Sequence, residues 1–446
     1  MITKIRKRDG REVAFNIEKI ANAIFKAAQA SGGKDYDTAF ALAQEVADYV
    51  ETGCPDKVPT VEFIQDAVEK VLMERGHART AKDYILYRAE RTRVREMDTK
   101  LMKIYEDLTF KSAEEVDLKR ENANIDGDTA MGSMLKYGSE GAKQFYEMYV
   151  LDPVHAKAHT NGDIHIHDLD FLTLTTTCCQ IDLLELFHGG FSTGHGVLRE
   201  PNDISSYAAL ACIAIQSNQN DQHGGQSIVN FDYAMAEGVA KTYRACYRQN
   251  LSRALELLCG VTPTDAQLRG FAASLAERGL VPALAGQKAY DDAEAAQLKA
   301  AFGCVEGDIR RAQEFVARRA AEETDRATYQ AMESLIHNLN TMESRSGSQT
   351  PFSSINYGMD TSPEGRLVMK NLLLATEAGL GSGETPIFPI QIFRVKNGVN
   401  LNEGEPNYDL FRLACRCSAK RLFPNFSFQD APFNLKYYKE GHPETE

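Results

Sequence analysis

Residues 161–183 read NGDIHIHDLDFLTLTTTCCQIDL and hold the densest group of reactive side chains in the chain. If residues 163–168 are extended, their period of two places Asp163, His165 and His167 on one face. His-x-His on a strand can supply two metal ligands, although a metal site also needs a third and usually a fourth. The stretch therefore predicts a strand-lined site in which the two histidines point into one space.

The pair Cys178 and Cys179 closes this stretch. In a regular strand the two sulfur atoms face opposite sides, so at most one enters the space that His165 faces. A buried free cysteine often serves only as a small apolar side chain. That interpretation applies to four of the others: Cys212, Cys246, Cys259 and Cys304.

The N-terminal residues form a second candidate site. Two short β-like runs flank Asp9-Gly10, a dipeptide that suits a tight hairpin turn because both residues tolerate positive φ. Asn16 follows as a candidate helix cap. A basic hairpin that leads into a helix N-terminus can bind phosphate groups, and it can equally be an ordinary solvated edge.

The pattern between these sites is mostly helical. Apolar spacing predicts a helix over residues 60–75 and another over 81–96 behind a Thr80/Asp83 capping box. Residues 1–96 are expected to form one compact unit, residues 97–150 a helical connector, and residues 151–446 the main domain. Within the main domain, the Ala-rich residues 260–330 predict a helical excursion without chemistry.

Charge and thiol content exclude several classes of protein. The 50 basic and 63 acidic side chains give a net charge of −13, which disfavours non-specific nucleic-acid binding. The longest apolar runs fall short of the roughly 20 residues that cross a bilayer. Nine cysteines without a secretion signal predict reduced thiols and a cytoplasmic protein with no membrane contact.

The N-terminal motifs resemble a known regulatory domain. KRDGREVAFNIEKIANAI at residues 7–24 and AKDYILYRAERTRVRE at residues 81–96 resemble the ATP-cone, which precedes many ribonucleotide reductases and occurs in one repressor family. The resemblance implies that the unit binds ATP or dATP as allosteric effectors. The matching positions are Lys7, Arg8, Asp9, Gly10, Phe15, Asn16, Lys19 and Arg88.

The rest of the chain resembles the catalytic subunit of anaerobic, class III glycyl-radical ribonucleotide reductases. The motifs NGDIHIHDLDF, TTCCQIDL, QHGGQSIVNFD, SGSQTPFSSINYG, GSGETPIFPIQIF and PNYDLFRLACRCSAKRLFPNF carry it, in that order. The resemblance implies an α/β fold in which a mostly helical cone precedes a ten-stranded α/β barrel. It also implies reduction of ribonucleoside triphosphates to 2′-deoxyribonucleoside triphosphates, with formate as the usual reductant.

The resemblance also assigns roles to residues and partners. It makes Cys178 the second catalytic cysteine, and it places His165 and His167 against the ribose as positioning residues. Further candidates to line the site are Ser346, Gly347 and Gln349. The implied partners are ribonucleoside triphosphate substrates, dNTP effectors, a radical-SAM activating enzyme and a second copy of the chain in a homodimer or higher oligomer.

Some family features are not found before Glu446: the Gly-Cys-Arg motif of the thiyl cysteine, the glycyl-radical loop and the four-cysteine structural zinc site. We therefore expect the chain to be the first part of a longer enzyme. Two alternatives stay open at this point. One is a cone-based nucleotide-sensing regulator without catalysis, and the other is a metal-dependent hydrolase that uses His165 and His167.

Overall fold

The structure is a computed structural model that describes residues 2–8, 10–53, 58–112, 114–115, 126–345 and 347–439, without the side chains of residues 95–99. The described residues divide into two compact units. The first lies within Met1–Phe110 and Lys143–Ile164, and the second lies within Lys111–Ala142 and His165–Glu446. Over the described ranges, no helix is both long enough and apolar enough to cross a membrane.

The strands are short and fall into a hairpin, a larger sheet and a second small pair. They are β1 (Lys4–Arg6), β2 (Glu12–Ala14), β3 (Thr177–Gln180), β4 (Phe191–Ser192), β5 (Val197–Leu198), β6 (His223–Ile228), β7 (Ser353–Tyr357), β8 (Ile390–Val395) and β9 (Asn425–Phe428).

Helices account for most of the fold. They are α1 (Ile17–Ala30), α2 (Tyr36–Gly53), α3 (Val61–Glu74), α4 (Ala78–Phe110), α5 (Ala130–Phe145), α6 (Pro153–Asn161), α7 (Leu183–Phe187), α8 (Ile204–Asp221), α9 (Phe231–Cys259), α10 (Asp265–Ala276), α11 (Lys288–Phe302), α12 (Glu306–Thr341), α13 (Pro363–Ala378), α14 (Tyr408–Arg421) and α15 (Pro432–Leu435). A π-helical turn at Tyr146–Val150 and a 3₁₀ turn at Leu169–Phe171 complete the set.

The predicted N-terminal hairpin is confirmed. Strands β1 and β2 pair antiparallel, and the backbone N–H of Lys7 donates to the Arg11 carbonyl at 2.8 Å to close the turn. Asn16 caps α1, since its side chain accepts a hydrogen bond from the backbone N–H of Glu18 at 2.8 Å. The cap satisfies one of the free amides of the first helical turn.

The helix predicted over residues 60–75 is also confirmed. Thr60 caps α3 by accepting from the Phe63 amide at 3.2 Å. Ile64, Val68 and Leu72 recur on one side of α3, and all three are buried in the core of the N-terminal unit. The apolar period of the sequence therefore located the buried face of this helix.

The predicted capping box at Thr80 and Asp83 is wrong. Helix α4 begins two residues earlier than Thr80, because Gly76, at a φ of 79°, ends α3 and leaves almost no connecting loop. The Asp83 carboxylate accepts a hydrogen bond from the Ser31 hydroxyl of α1 instead of capping its own helix. The helix also continues past residue 96, so the boundary expected there lies inside α4.

The second unit contains a parallel sheet, which confirms the α/β class. Its five strands lie in the order β3-β6-β7-β8-β9, and every neighbouring pair is parallel. Helices connect each strand to the next, as parallel pairing requires. The expected barrel has ten strands, whereas the described residues contribute five strands to this sheet.

The sheet is covered by a helical layer. Ile228 of β6, Ile355 of β7 and Phe393 of β8 are fully buried and belong to one apolar core with side chains of α8, α9, α12, α13 and α14. Asp232, in the first turn of α9, accepts from the three consecutive amides of residues 358–360 at 2.9–3.0 Å. This carboxylate joins the end of β7 to the start of α9.

The excursion at residues 260–330 is helical, as predicted. It contains α10, α11 and most of α12, and it has an apolar core of its own. At its centre, the buried Glu294 carboxylate accepts hydrogen bonds from Tyr247 at 2.8 Å and Tyr290 at 2.7 Å. These bonds satisfy a carboxylate that would otherwise be costly to bury.

Candidate functional site

Cys178 lies at the start of β3, at one edge of the five-stranded sheet, and its side chain is exposed. Its φ of 60° falls in the left-handed region, which costs a non-glycine residue about 1–3 kcal/mol. The register between β3 and β6 shifts at this position. The regular strand alternation expected for the two cysteines is therefore interrupted at Cys178 itself.

Two glycines of β6 form the surface behind this thiol. Gly224, at a φ of 92°, leaves no room for a side chain, since a Cβ atom there would lie 3.0 Å from Cys178 Sγ. The backbone N–H of Gly225 donates to the same sulfur at 3.3 Å. A Cβ atom on Gly225 would lie 3.2 Å from the Phe352 ring. The glycines of QHGGQS thus let the backbone approach the cysteine closely.

Cys179 differs from its neighbour because it is half-buried and hydrogen-bonded. Its thiol lies 3.0 Å from Gln226 Oε1, and the Asn218 amide donates to its sulfur at 2.9 Å. Burial raises the pKa of Cys179, while the Asn218 hydrogen bond opposes the shift and the nearby Cys178 adds to it. Cys179 is therefore held as a neutral thiol within a polar network. The sequence interpretation missed both Asn218 and Gln226.

The predicted strand at residues 163–168 is wrong. These residues form bends and turns, and Asp168 takes a left-handed conformation with a φ of 52° before the 3₁₀ turn. The rings of His165 and His167 nevertheless lie together, with 5.7 Å between their centroids. Both are exposed, and the His167 side chain is 82% exposed. The turn therefore brings the two rings together on the surface of the unit.

A histidine that sequence reasoning did not single out lies beside the Cys178 segment. His223 pairs with Thr177 across β3 and β6, and its Nε2 atom lies 3.1 Å from Asp168 Oδ1. Its ring stacks on Phe171 with centroids 3.9 Å apart, and its Nδ1 atom is buried without a partner. The carboxylate fixes the orientation of the ring. Asp168 also lies 3.6 Å from His167 Nε2, so the carboxylate links the two histidines.

The second glycine-containing motif forms the segment before β7. Gln349 is buried, and its carbonyl accepts a hydrogen bond from the Ser344 amide at 2.8 Å. Gly347 has a φ of 92° and packs closely against Gly132 at the start of α5. Ser346 lies outside the described residues. The structure connects this segment to β6, because the backbone N–H of Gln226 donates to the Phe352 carbonyl at 2.8 Å.

In the N-terminal unit, two candidate arginines lie along the acidic face of α3. Arg8 pairs with Glu62 and donates to Gln65 at 3.2 Å, while Arg88 pairs with Asp66 at 2.6 Å and Glu69 at 2.7 Å. Burial alone would raise the pKa of Glu62, but the hydrogen bond and charge of Arg8 lower it overall. Both arginines are therefore already paired with carboxylates, and a phosphate group must replace those pairs.

The other candidate residues of this unit are spread over its surface. Lys7 and Gly10 lie in the hairpin turn, Asn16 caps α1, and Phe15 packs against the core. Asp9 lies outside the described residues. Lys19 lines a different groove of about 390 Å³, within the size range of small-molecule sites. That groove is also lined by Asn22, Lys26, Asp83 and Tyr87.

The described residues offer no metal centre of the kind that two histidines on one strand suggested. Nowhere in the described ranges do three His, Cys, Asp or Glu side chains come close enough to hold one ion. His165 and His167 therefore lack the third ligand that the hydrolase alternative requires. The structure brings together an exposed thiol, a glycine-lined strand and a histidine–carboxylate pair.

Comparison with known proteins assigns both parts of the chain. Residues 121–445 match the family described as "Anaerobic ribonucleoside-triphosphate reductase". Residues 3–93 match the ATP cone domain. The first match alone covers most of the chain.

Individual relatives agree with this assignment. The chain is 28% identical to the anaerobic ribonucleoside-triphosphate reductase of Haemophilus influenzae over 94% of its own length and 51% of that protein. It is 29% identical to the enzyme of the same name from Escherichia coli, over 95% of the chain and 51% of that protein. The chain thus spans about half the length of the curated relatives it matches.

Among solved structures, the anaerobic ribonucleotide reductase from Thermotoga maritima in complex with dATP and CTP matches with a TM-score of 0.43 and 13% identity. The match covers 77% of this chain and 50% of that one.

Proposed function

The chain belongs to the anaerobic ribonucleoside-triphosphate reductase family, and we propose that it provides the effector-sensing and ribose-binding parts of an enzyme that reduces ribonucleoside triphosphates to 2′-deoxyribonucleoside triphosphates. The observation that supports this most is the exposed Cys178 thiol, held against Gly224 and Gly225 within the region that matches the family. Ribose reduction needs such a thiol beside an open space.

In the proposed reaction, the C2′–O bond of the ribose breaks and the hydroxyl group takes up a proton and leaves as water. A new C2′–H bond replaces the broken bond, and formate supplies the two electrons and one proton for that bond as it becomes carbon dioxide, while the proton taken up by the leaving hydroxyl comes from solvent. When present, a glycyl radical made by a partner radical-SAM activating enzyme would supply the radical that abstracts hydrogen. Cys178 acts as a hydrogen and electron donor at the sugar, and the neutral Cys179 thiol supports its strand through Asn218 and Gln226.

The other site residues position the substrate. We assign His165 and His167 to the ribose, because their rings lie together and are exposed. Gly347 and Gln349 belong to the segment before β7, which contacts β6 through Phe352, so we place them along the wall of the site. We propose Ser346 there as well, because it belongs to the same sequence motif.

The N-terminal unit, residues 1–96, is proposed to bind ATP or dATP and to regulate overall activity. Lys7 and Arg8 would contact the phosphates, and Arg88 would join them once it leaves Asp66 and Glu69. The acidic face of α3 thus competes with the nucleotide for both arginines. Competition of this kind can couple effector binding to a change in how α3 and α4 pack.

Further partners follow from the family membership. We propose dNTP effectors for substrate choice and a homodimer or higher oligomer. The structural zinc of this enzyme class finds no matching group of ligands among the described residues, so no residue of the described chain is assigned to it.

The proposed reaction can be tested by product analysis. The full-length gene product is activated without oxygen and incubated with the four ribonucleoside triphosphates and carbon-labelled formate. We expect 2′-deoxyribonucleoside triphosphates and labelled carbon dioxide in equal amounts, because each reduction consumes two electrons. Deoxynucleotides formed without labelled carbon dioxide would overturn formate as the reductant, and no deoxynucleotides from an activated protein would overturn the proposed reaction.

A further inference from the structure

The segment before β7 contains an arginine without an anionic partner. Arg345 Nη2 donates to the backbone carbonyl of Gln222 at 2.8 Å, and its Nε atom is buried with no hydrogen-bond partner. Within the described part of the chain, no carboxylate pairs with this guanidinium. Burial without a compensating charge lowers the pKa of Arg345.

Two other arginines of the unit show the common alternative. Arg366 pairs with Asp409 at 2.8 Å and Arg416 pairs with Glu377 at 2.7 Å. A partly or fully buried charge is stabilised when a partner replaces the lost water, and a carboxylate is the usual choice. Arg345 is half-buried, and within the described residues its side chain donates to a backbone carbonyl and to no carboxylate, so its charge is open to an anionic ligand.

The neighbouring side chains present further unused donors. The amide nitrogens of Gln219 and Gln222 are both buried without partners. The carbonyl oxygen of the Gln219 side chain is already occupied by the Ser344 hydroxyl, so only its N–H groups are free to bind. Both glutamines are residues that the Ser344–Arg345 segment contacts, through the Ser344 hydroxyl to Gln219 and through Arg345 Nη2 to the Gln222 carbonyl. A ligand rich in acceptor oxygens would complement all of them.

We propose that Arg345, with the side-chain amides of Gln219 and Gln222, forms a binding site for an oxyanion. A guanidinium binds carboxylate and phosphate oxygens alike, often through two parallel hydrogen bonds. Gln222 directly precedes His223, the first residue of β6. The choice between formate and a nucleotide phosphate rests on the proposed function, whereas the anion site itself rests on the unpaired guanidinium.

The test is direct binding in the full chain. Formate and inorganic tripolyphosphate are titrated separately by calorimetry into a Lys7→Ala/Arg8→Ala background, which removes the proposed phosphate site of the N-terminal unit. We expect at least one of the two to bind, and Arg345→Gln to weaken it by about tenfold or more, the loss of one charge-assisted pair. Arg345→Lys keeps the charge and should retain part of the affinity. Arg416→Gln removes a paired surface arginine and should leave the affinity unchanged.

Each outcome decides between the alternatives. Formate binding that depends on Arg345 identifies a carboxylate site, and tripolyphosphate binding that depends on Arg345 identifies a phosphate site. If neither anion binds, or if both the glutamine and the lysine variants bind as tightly as the background protein, the inference is overturned. Because binding is measured without turnover, an enzyme that fails to reduce ribonucleotides would overturn the proposed function while this site stands.

Discussion

Replacing Cys178 with serine is expected to abolish the formation of 2′-deoxyribonucleoside triphosphates by the activated, full-length gene product. Serine keeps the size and the left-handed backbone position but cannot give up a hydrogen atom as a thiol does. We expect a loss of at least about a thousandfold in turnover, as for other residues that take part directly in the chemistry. The measurement is product formation by chromatography, normalised to the glycyl radical counted by electron paramagnetic resonance.

Cys179→Ser is the matched control, because it changes the adjacent thiol, which is half-buried and bonded to Asn218 and Gln226. A hydroxyl group can keep both hydrogen bonds, so this variant should retain most of the activity. Normal turnover by Cys178→Ser with an intact radical would refute the role of Cys178. Equal losses in the two variants would point to damage of β3 rather than to lost chemistry.

Replacing both Lys7 and Arg8 with alanine is expected to weaken ATP and dATP binding at the N-terminal unit by at least about 100-fold. Each charge-assisted hydrogen bond to a phosphate contributes about 1.5–3 kcal/mol, and two are removed. Isothermal titration calorimetry of the full chain measures this directly. Lys34→Ala, at an exposed position outside the hairpin, should leave the affinity unchanged.

A second variant separates phosphate binding from the folding of the hairpin. Glu62→Gln removes the charge that pairs with Arg8. If the carboxylate competes with phosphate, this variant should bind ATP more tightly than the wild type. Unchanged affinity in the Lys7→Ala/Arg8→Ala variant would rule out the hairpin as the effector site.

Local patterns in the sequence were sufficient where a short segment determines its own structure. The hairpin of β1 and β2, the Asn16 cap and the buried positions of α3 all depend on residues within one hairpin or one helix. The α/β class was also predicted correctly, since the parallel sheet is present. The ten strands expected from the family resemblance exceed the five that the described ranges contribute to the parallel sheet.

Tertiary contacts explain the predictions that failed. The spacing of Asp83 suits a capping box. Its carboxylate instead accepts a hydrogen bond from the hydroxyl of Ser31, the residue after α1, and α4 begins before Thr80. The alternation around His165 and His167 suits a strand. Asp168 instead has a left-handed backbone conformation, and its carboxylate contacts His223, which is 55 residues away in the sequence. A local sequence pattern does not identify a contact partner that is so distant in the sequence.

The same limit applies to the candidate site. In the sequence, Cys178 and the glycines of QHGGQSIVNFD stand in separate family motifs, and only the pairing of β3 with β6 brings them into contact. Asn218 was missed because it forms no motif with its sequence neighbours. Arg345 was missed because its stretch, SRSGSQTPF, was interpreted through its glycine and short polar side chains. Their significance depends on which buried atoms around them lack a partner.

In the proposed function, Cys178 lies beside the ribose of a ribonucleoside triphosphate. An anaerobic crystal structure of the protein with such a nucleotide bound tests this placement. We expect a ribose carbon in van der Waals contact with Cys178 Sγ, at about 4 Å. A nucleotide that occupies the N-terminal unit alone, or a ribose that binds on another part of the sheet, would contradict it.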